Sequence, residues 1–123
     1  MSFAGTGVFD AFQVPYSALE RTHEVMIQQV ADRGAGMIVR GGRNHPDRWD
    51  LWESAGLDEL AGDMNRYQFV LRFKLSHPAF QTTIVGTTQR DHLRSNISAA
   101  QAGPLPVDIY AQAKKRLIVT YQA

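Results

Sequence analysis

Thr82-Thr83-Ile84-Val85-Gly86-Thr87-Thr88-Gln89-Arg90-Asp91-His92-Leu93-Arg94-Ser95-Asn96 reads as a short buried strand that turns directly into a helix. Ile84 and Val85 supply a β-branched run. Gly86 lets the backbone turn tightly, and Thr88 stands where a hydroxyl caps the helix that follows. Asp91, three residues on, completes a capping-box spacing with Asp in place of Glu or Gln. Leu93, Ile97 and Ala100 then recur at helical spacing. A helix N-terminus entered from such a turn offers unpaired N–H groups and the positive end of a dipole, both suited to phosphate.

Outward from this stretch the same strand-then-helix pattern repeats. Val8 to Val14 reads as a first strand, followed by an amphipathic helix over Thr22 to Arg33 whose inward stripe is Val25, Met26, Gln29 and Val30. Gly34 sits at its C′ position. Gly36 to Arg40 is a second strand, almost wholly apolar, as a parallel strand covered on both faces tends to be. Gly41 to Gly62 is a long connection with a helical turn at Trp49 to Ser54. Asp63 caps a helix to Ser76, with Val70, Leu71 and Leu75 turned to the strands and His77-Pro78 ending it. Thr82 to Gly86 is the third strand. After the Thr88-capped helix, Gly103-Pro104-Leu105-Pro106 breaks the chain before a last helix from Asp108 to Val119. Strands alternating with helices give parallel βα units with right-handed crossovers.

Phe9-Asp10-Ala11-Phe12-Gln13-Val14-Pro15-Tyr16-Ser17, Gly36-Met37-Ile38-Val39-Arg40-Gly41-Gly42 and the Thr82 to Asn96 stretch follow one another in the order of three segments of a known family. The chain resembles the aldo/keto reductases, NADP(H)-dependent (β/α)8-barrel oxidoreductases, over about Val8 to Leu117. The three segments are similar to the family's sixth, seventh and eighth barrel strands. Glu53-Ser54-Ala55-Gly56-Leu57-Asp58-Glu59-Leu60 and Leu71-Arg72-Phe73-Lys74-Leu75-Ser76-His77-Pro78 fit the pieces between them. The expected fold is therefore α/β: a partial (β/α)8 TIM barrel, about three parallel strands with flanking helices, in one structural piece. A whole barrel takes roughly 250 residues, about twice the 123 present.

In parallel βα folds ligands gather beyond the C-terminal ends of the strands. Three clusters fall there. Gln13, with Tyr16 and Ser17 nearby, corresponds in the family to the glutamine whose amide bonds the nicotinamide carboxamide, donating and accepting at once. Tyr16 itself reads as packing. Arg40 ends the second strand where the family stacks a planar side chain on the nicotinamide, a task a guanidinium can perform. Gly41 and Gly42 would let the backbone approach the pyrophosphate and Arg43 would add charge; the plain alternative is a turn with two solvated arginines. Around Gly86, Thr87 and Thr88, the resemblance puts Thr87 at a phosphate-binding hydroxyl and Asn96 at the adenine, with Ser95 before it. Arg90 and His92 would meet the adenosine 2′-phosphate, His92 standing where many relatives carry Arg. The implied cofactor is NADP(H), with NAD(H) the alternative.

Composition narrows the partners. Hydrophobic residues make up 44% and charged residues 20%, a globular balance without the bias of disorder. A net charge of +1 argues against nucleic acid or a membrane surface as partner. The absence of Cys excludes disulfides and thiolate chemistry. His23, His45 and His77 are too scattered to suggest a metal site. Trp49 and Trp52 read as a packed turn, and Lys114-Lys115-Arg116 as a solvated helix face. No apolar run is long enough to span a bilayer. Met1 to Thr6 lacks the basic and apolar regions of a secretory signal, so the expected compartment is the cytoplasm.

The family's Asp-Tyr-Lys-His catalytic tetrad precedes the matched segments, and no residue here corresponds to it. The resemblance thus implies the cofactor side of a reductase, with no catalytic residue and little carbonyl reduction by this chain alone. Its expected partners are the nucleotide and either the missing front of the barrel or further copies of itself. The alternatives are a non-catalytic nucleotide-binding or scaffold module, and a nonfunctional gene fragment.

Overall fold

Gly36–Arg40 forms β2, the centre of a three-stranded parallel sheet. The computed structural model describes residues 7–41 and 49–122. β1 (Ala11–Pro15) pairs with β2 along its whole length, from Ala11 opposite Gly36 to Pro15 opposite Arg40. β3 (Thr82–Thr83) pairs on the other side through Ile38 and Val39. Helices α1 (Glu24–Asp32), α2 (Trp49–Ser54), α3 (Leu57–Ala61), α4 (Arg66–Leu75), α5 (Arg90–Ala102) and α6 (Val107–Gln122) complete the order. The fold class is the expected one: three parallel strands in one sheet with flanking helices, as in part of an α/β barrel.

Side chains alternate across the sheet and so define two faces. Val14, Met37 and Val39 share one face and are buried against Ile27 and Val30 of α1 and Phe69, Val70 and Phe73 of α4. Trp52, Leu57, Ala113 and Leu117 extend this core under α2, α3 and α6. Ala11, Gln13 and Arg40 lie on the opposite face and are exposed. The helices therefore cover one face only, and the functional candidates of β1 and β2 stand on the open one.

Several expectations are corrected. β1 begins at Ala11 rather than Val8, and α1 begins at Glu24 rather than Thr22. Ile27 and Val30 form the buried stripe of α1, while Val25 is 71% exposed and Gln29 also faces outward. α2 runs over Trp49–Ser54 as expected, but α3 lies inside the stretch read as loop. Gly56, at φ +64, breaks the two helices apart and turns Leu57 and Ala61 into the core. α4 is capped by Asn65, not Asp63: the Asn65 side chain accepts from the Gln68 N–H at 2.8 Å, and the Gln68 side chain accepts from the Asn65 N–H at 3.2 Å. This reciprocal box satisfies two orphan donors, which Asp63 two residues earlier does not do.

The deciding stretch itself differs from its reading. β3 is two residues long because only Ile38 and Val39 of β2 face it, and a strand lasts as long as its pairing. Ile84 still donates its N–H to Val39 O at 2.9 Å, yet its side chain is 53% exposed rather than buried. Gly86 does not adopt a positive φ, so no backbone demand for glycine exists there. Gln89, not Thr88, is the N-cap of α5, and no side chain caps it. Thr87 Oγ1 accepts from the Gln89 N–H at 3.1 Å, a turn completed just before the helix begins. α5 packs through Ala99 with Ser95 and Asn96 half-buried, leaving Leu93 and Ile97 each 49% exposed and Ala100 exposed.

Candidate functional site

The register of the sheet carries Gln13 and Arg40 to one face. Gln13 stands beside Ile38, which stands beside Thr82; Pro15 stands beside Arg40 one step nearer the C-terminal ends. With strands ~4.8 Å apart and ~3.3 Å per residue along them, Gln13 and Arg40 are diagonal neighbours about 8 Å apart on that face. Tyr16 and Ser17, the other members of the first cluster, turn away. Tyr16 is fully buried, edge-on to His77, with its hydroxyl donating to Glu24 Oε2 at 2.9 Å. Ser17 is fully buried as well, and its Oγ accepts from the Leu19 N–H at 3.1 Å. Tyr16 is thus packing, as read from the sequence.

Gly41 follows Arg40 at φ +74, where an L side chain is strained, so the turn out of β2 requires glycine. Gly42, Arg43 and His45 lie outside the described residues. The carbonyl of Gly41 accepts from Lys74 Nζ, which also donates to Thr83 Oγ1 at 3.5 Å. Thr83 Oγ1 in turn donates to Val39 O at 3.0 Å. These bonds lock the C-terminal ends of β2 and β3 together. Lys74 is only 4% exposed and pairs with no carboxylate among the described residues; burial pushes its ammonium down to about 8.

The third cluster forms the first turns of α5. Its N-terminal N–H groups receive no side-chain cap, and Thr88, Arg90 and His92 are all exposed around them. A Cβ at Gly86 would meet no atom within 4 Å, so the approach is open. His92 and Asn96 are one turn apart on the same side. Asn96 Nδ2 is buried without a hydrogen-bond partner among the described residues. Burying an unmet amide donor costs free energy, so a side-chain rotation that brings it out to an acceptor would gain it. Open helix donors, two cationic or protonatable side chains and an orphan amide suit a ligand with a phosphate and a heterocycle. The residues present therefore fit the adenosine end of a dinucleotide.

Two features escaped the sequence. One is Lys74, which follows Val70 at a four-residue spacing and so lies on the inward stripe of α4; that spacing was the available signal. The other is a half-buried network around Glu24. Arg21 donates to it at 2.7 and 3.0 Å, Lys114 lies 2.9 Å away, and Tyr16 adds its hydroxyl. Burial pushes the Glu24 carboxyl up, but these hydrogen bonds from Arg21, Lys114 and Tyr16 outweigh it and hold it at about 2. Lys114 and Arg116 are hence not a solvated face: Arg116 donates to Gly56 O at 2.7 Å and reaches Glu59 at 3.0 Å. Trp49 and Trp52 meet edge to face at 5.9 Å, the packed turn expected. Among the described residues no group of three His, Asp or Glu gathers as a metal site, and no helix is long and apolar enough to cross a membrane.

No family model matches the chain, and no curated protein matches it in sequence. Solved structures match in fold, among them two of the aldo-keto reductase AKR11C1 from Bacillus halodurans. The apo form superposes with a TM-score of 0.75 over 93% of this chain at 21% identity, and the holo form with 0.74 over 93% at 22%. The chain spans 45% and 43% of the length of those two structures, less than half of each. The fold is therefore that of part of an aldo-keto reductase barrel, in agreement with the resemblance carried by the three sequence segments.

Proposed function

We propose that the chain is the cofactor side of an NADP(H)-binding aldo/keto reductase barrel, an oxidoreductase by origin. It holds the nucleotide and does not by itself reduce carbonyls. The observation that carries the reading is the uncapped, open N-terminus of α5 with the orphan amide of Asn96 two turns along the same helix. Thr87 and Arg90 would receive the phosphate, His92 would add a pH-dependent contact to a 2′-phosphate, and Asn96 would meet the adenine. Gln13 and Arg40, on the open face, would orient the nicotinamide by its carboxamide and its ring. When bound, NADPH supplies a hydride for a carbonyl carbon. Neutralising the oxyanion that results needs a positioned acid, and loss of such an acid typically costs ~10²–10⁴-fold. Gln13 and Arg40 carry no proton suited to that role.

The open face of the sheet and its outer strands, each paired on one side only among the described residues, support a second part of the proposal, an assembly partner. Ile84, Leu93 and Ile97 are each about half exposed, and strand edges with free backbone groups invite pairing. A polypeptide supplying further βα units would cover them; other copies of the chain are the alternative.

Calorimetric titration with 2′,5′-ADP tests the nucleotide reading. Replacing Thr87 and Asn96 together by Ala should weaken binding by about 1–3 kcal/mol, the range for lost bonds to charged or buried groups. Equal binding by parent and variant would sink the assignment, and so would steady NADPH oxidation with aromatic aldehydes by the chain alone.

A further inference from the structure

Lys74 is an unusual choice for its position. It occupies the inward face of α4 between buried Phe73 and half-buried Leu75, where an apolar side chain would fill the space without desolvating a charge. A buried charge without an ionic partner is costly, and hydrophobic replacements of similar volume are often as stable or more so. Stability is therefore a poor reason for this lysine. Its location offers a better one. Lys74 Nζ sits where β2 and β3 end, bonded to the carbonyl of Gly41 and the hydroxyl of Thr83, between the turn after β2 and the turn that leads into α5. Both partners are neutral, so the ammonium keeps its full positive charge behind the place where a ligand's phosphates would lie.

We propose that Lys74 is a positioning residue for the phosphates of a bound nucleotide: it fixes Gly41 and Thr83 and supplies, from behind the strand ends, a positive charge that no described carboxylate neutralises. The inference rests on the nucleotide reading above and adds a residue and a pH dependence to it. The side chain stays buried and acts through the strand ends and through its field. Across as much as ~10 Å, the Debye length at 0.1 M salt, and at an effective dielectric of ~20, one charge changes affinity for a phosphate by roughly tenfold.

The pH window follows from burial. With the ammonium held at about 8, the charge is present at pH 7 and is lost as the pH rises past that value. An anion nearby stabilises the protonated form, so binding and proton uptake are linked and affinity falls above pH 8. The other charged groups on the packed elements are engaged elsewhere or point outward. Arg72 donates to the carbonyls of Gly103 and Pro104, and His77 meets Glu24 O at 3.2 Å, with burial lowering it from its usual value. Arg40 stands exposed on the opposite face of β2, and Arg90, Asp91, His92 and Arg94 of α5 are exposed. β3 carries no titratable residue, and the charged residues of the 42–48 segment lie outside the described residues.

The test compares NADPH affinity at pH 7 and pH 9.5 for the parent, Lys74→Met and Lys74→Arg, with circular dichroism melts confirming that each variant is folded. The parent should lose several-fold in affinity between the two pH values. Lys74→Met should bind about tenfold more weakly at pH 7 and lose that fall, and Lys74→Arg should restore affinity at both. Inorganic pyrophosphate as competitor should show the same dependence on residue 74, which separates the phosphates from the nicotinamide as the group sensed. A Lys74→Met protein that binds NADPH like the parent, or keeps the parent's pH profile, overturns this inference while leaving the nucleotide reading intact. No binding by the parent at either pH overturns both.

Discussion

Glu24 is bound from three sides. Arg21 and Lys114 bring opposite charges, Tyr16 brings a hydroxyl, and the side chain is 15% exposed. Its folded carboxyl titrates at about 2, below the value of ~4.3 for an unfolded chain. A depressed carboxyl contributes stability that is fully present above the unfolded value and is lost as the pH falls toward the folded one. Glu24 should therefore contribute at most about 3 kcal/mol at pH 7, disappearing between pH 4.3 and 2. Urea unfolding of Glu24→Gln should show a deficit against the parent at pH 7 that shrinks toward pH 2. A pH-independent deficit would assign the effect to packing. Lys74 is the mirror case, a buried cation with neutral partners; nothing in the sequence singled out Glu24, and Lys74 showed only in its spacing from Val70. Charged side chains are expected outside, and only the fold reveals which partners enclose them.

At the level of elements, local chemistry decided some bounds and tertiary pairing decided others. β2 was legible because an apolar run stands between Ala35-Gly36 and Gly41, whose positive φ ends it. The α2 helix and the Gly103 break were legible for similar reasons. β3 was not, because its length depends on how far β2 extends beside it, and that is not written in residues 82–86. The cap of α5 was misplaced because Thr88 has the right spacing, yet the helix starts after Gln89, no side chain caps it, and Thr87 closes only the turn before it. Competing caps give a direct check. Asn65→Ala should destabilise the chain by about 1 kcal/mol, whereas Asp63→Ala and Thr88→Ala should each stay within about 0.5 kcal/mol of the parent. Denaturant midpoints read all three. A larger loss from Thr88→Ala than from Asn65→Ala would contradict the capping described.

Among the described residues, helices cover one sheet face and leave the other open. The order and parallel pairing of the strands were legible, since each apolar run is followed by a helix and parallel neighbours need such crossovers. Which face stays open was not, because alternation alone does not say where helices lie. The exposed Ile84, Leu93 and Ile97 give a consequence: the chain should self-associate with rising concentration, and Leu93→Glu with Ile97→Glu should shift it toward monomer. Light scattering at two concentrations measures this. A monomer at high concentration in the parent would contradict it.

We propose a nucleotide at the strand ends, between β2 and the first turns of α5. Amide spectra of the ¹⁵N-labelled chain titrated with NADPH test it most directly. Shifts concentrated at Gly86 to Asn96, with smaller ones at Gln13, Arg40 and Gly41, are the predicted result. A separate cleft of about 690 Å³, lined by Glu53, Gly56, Glu59, Gln112, Lys115 and Arg116, shares no residue with that set. Shifts confined to this cleft, or no shifts at saturating nucleotide, would contradict the claim.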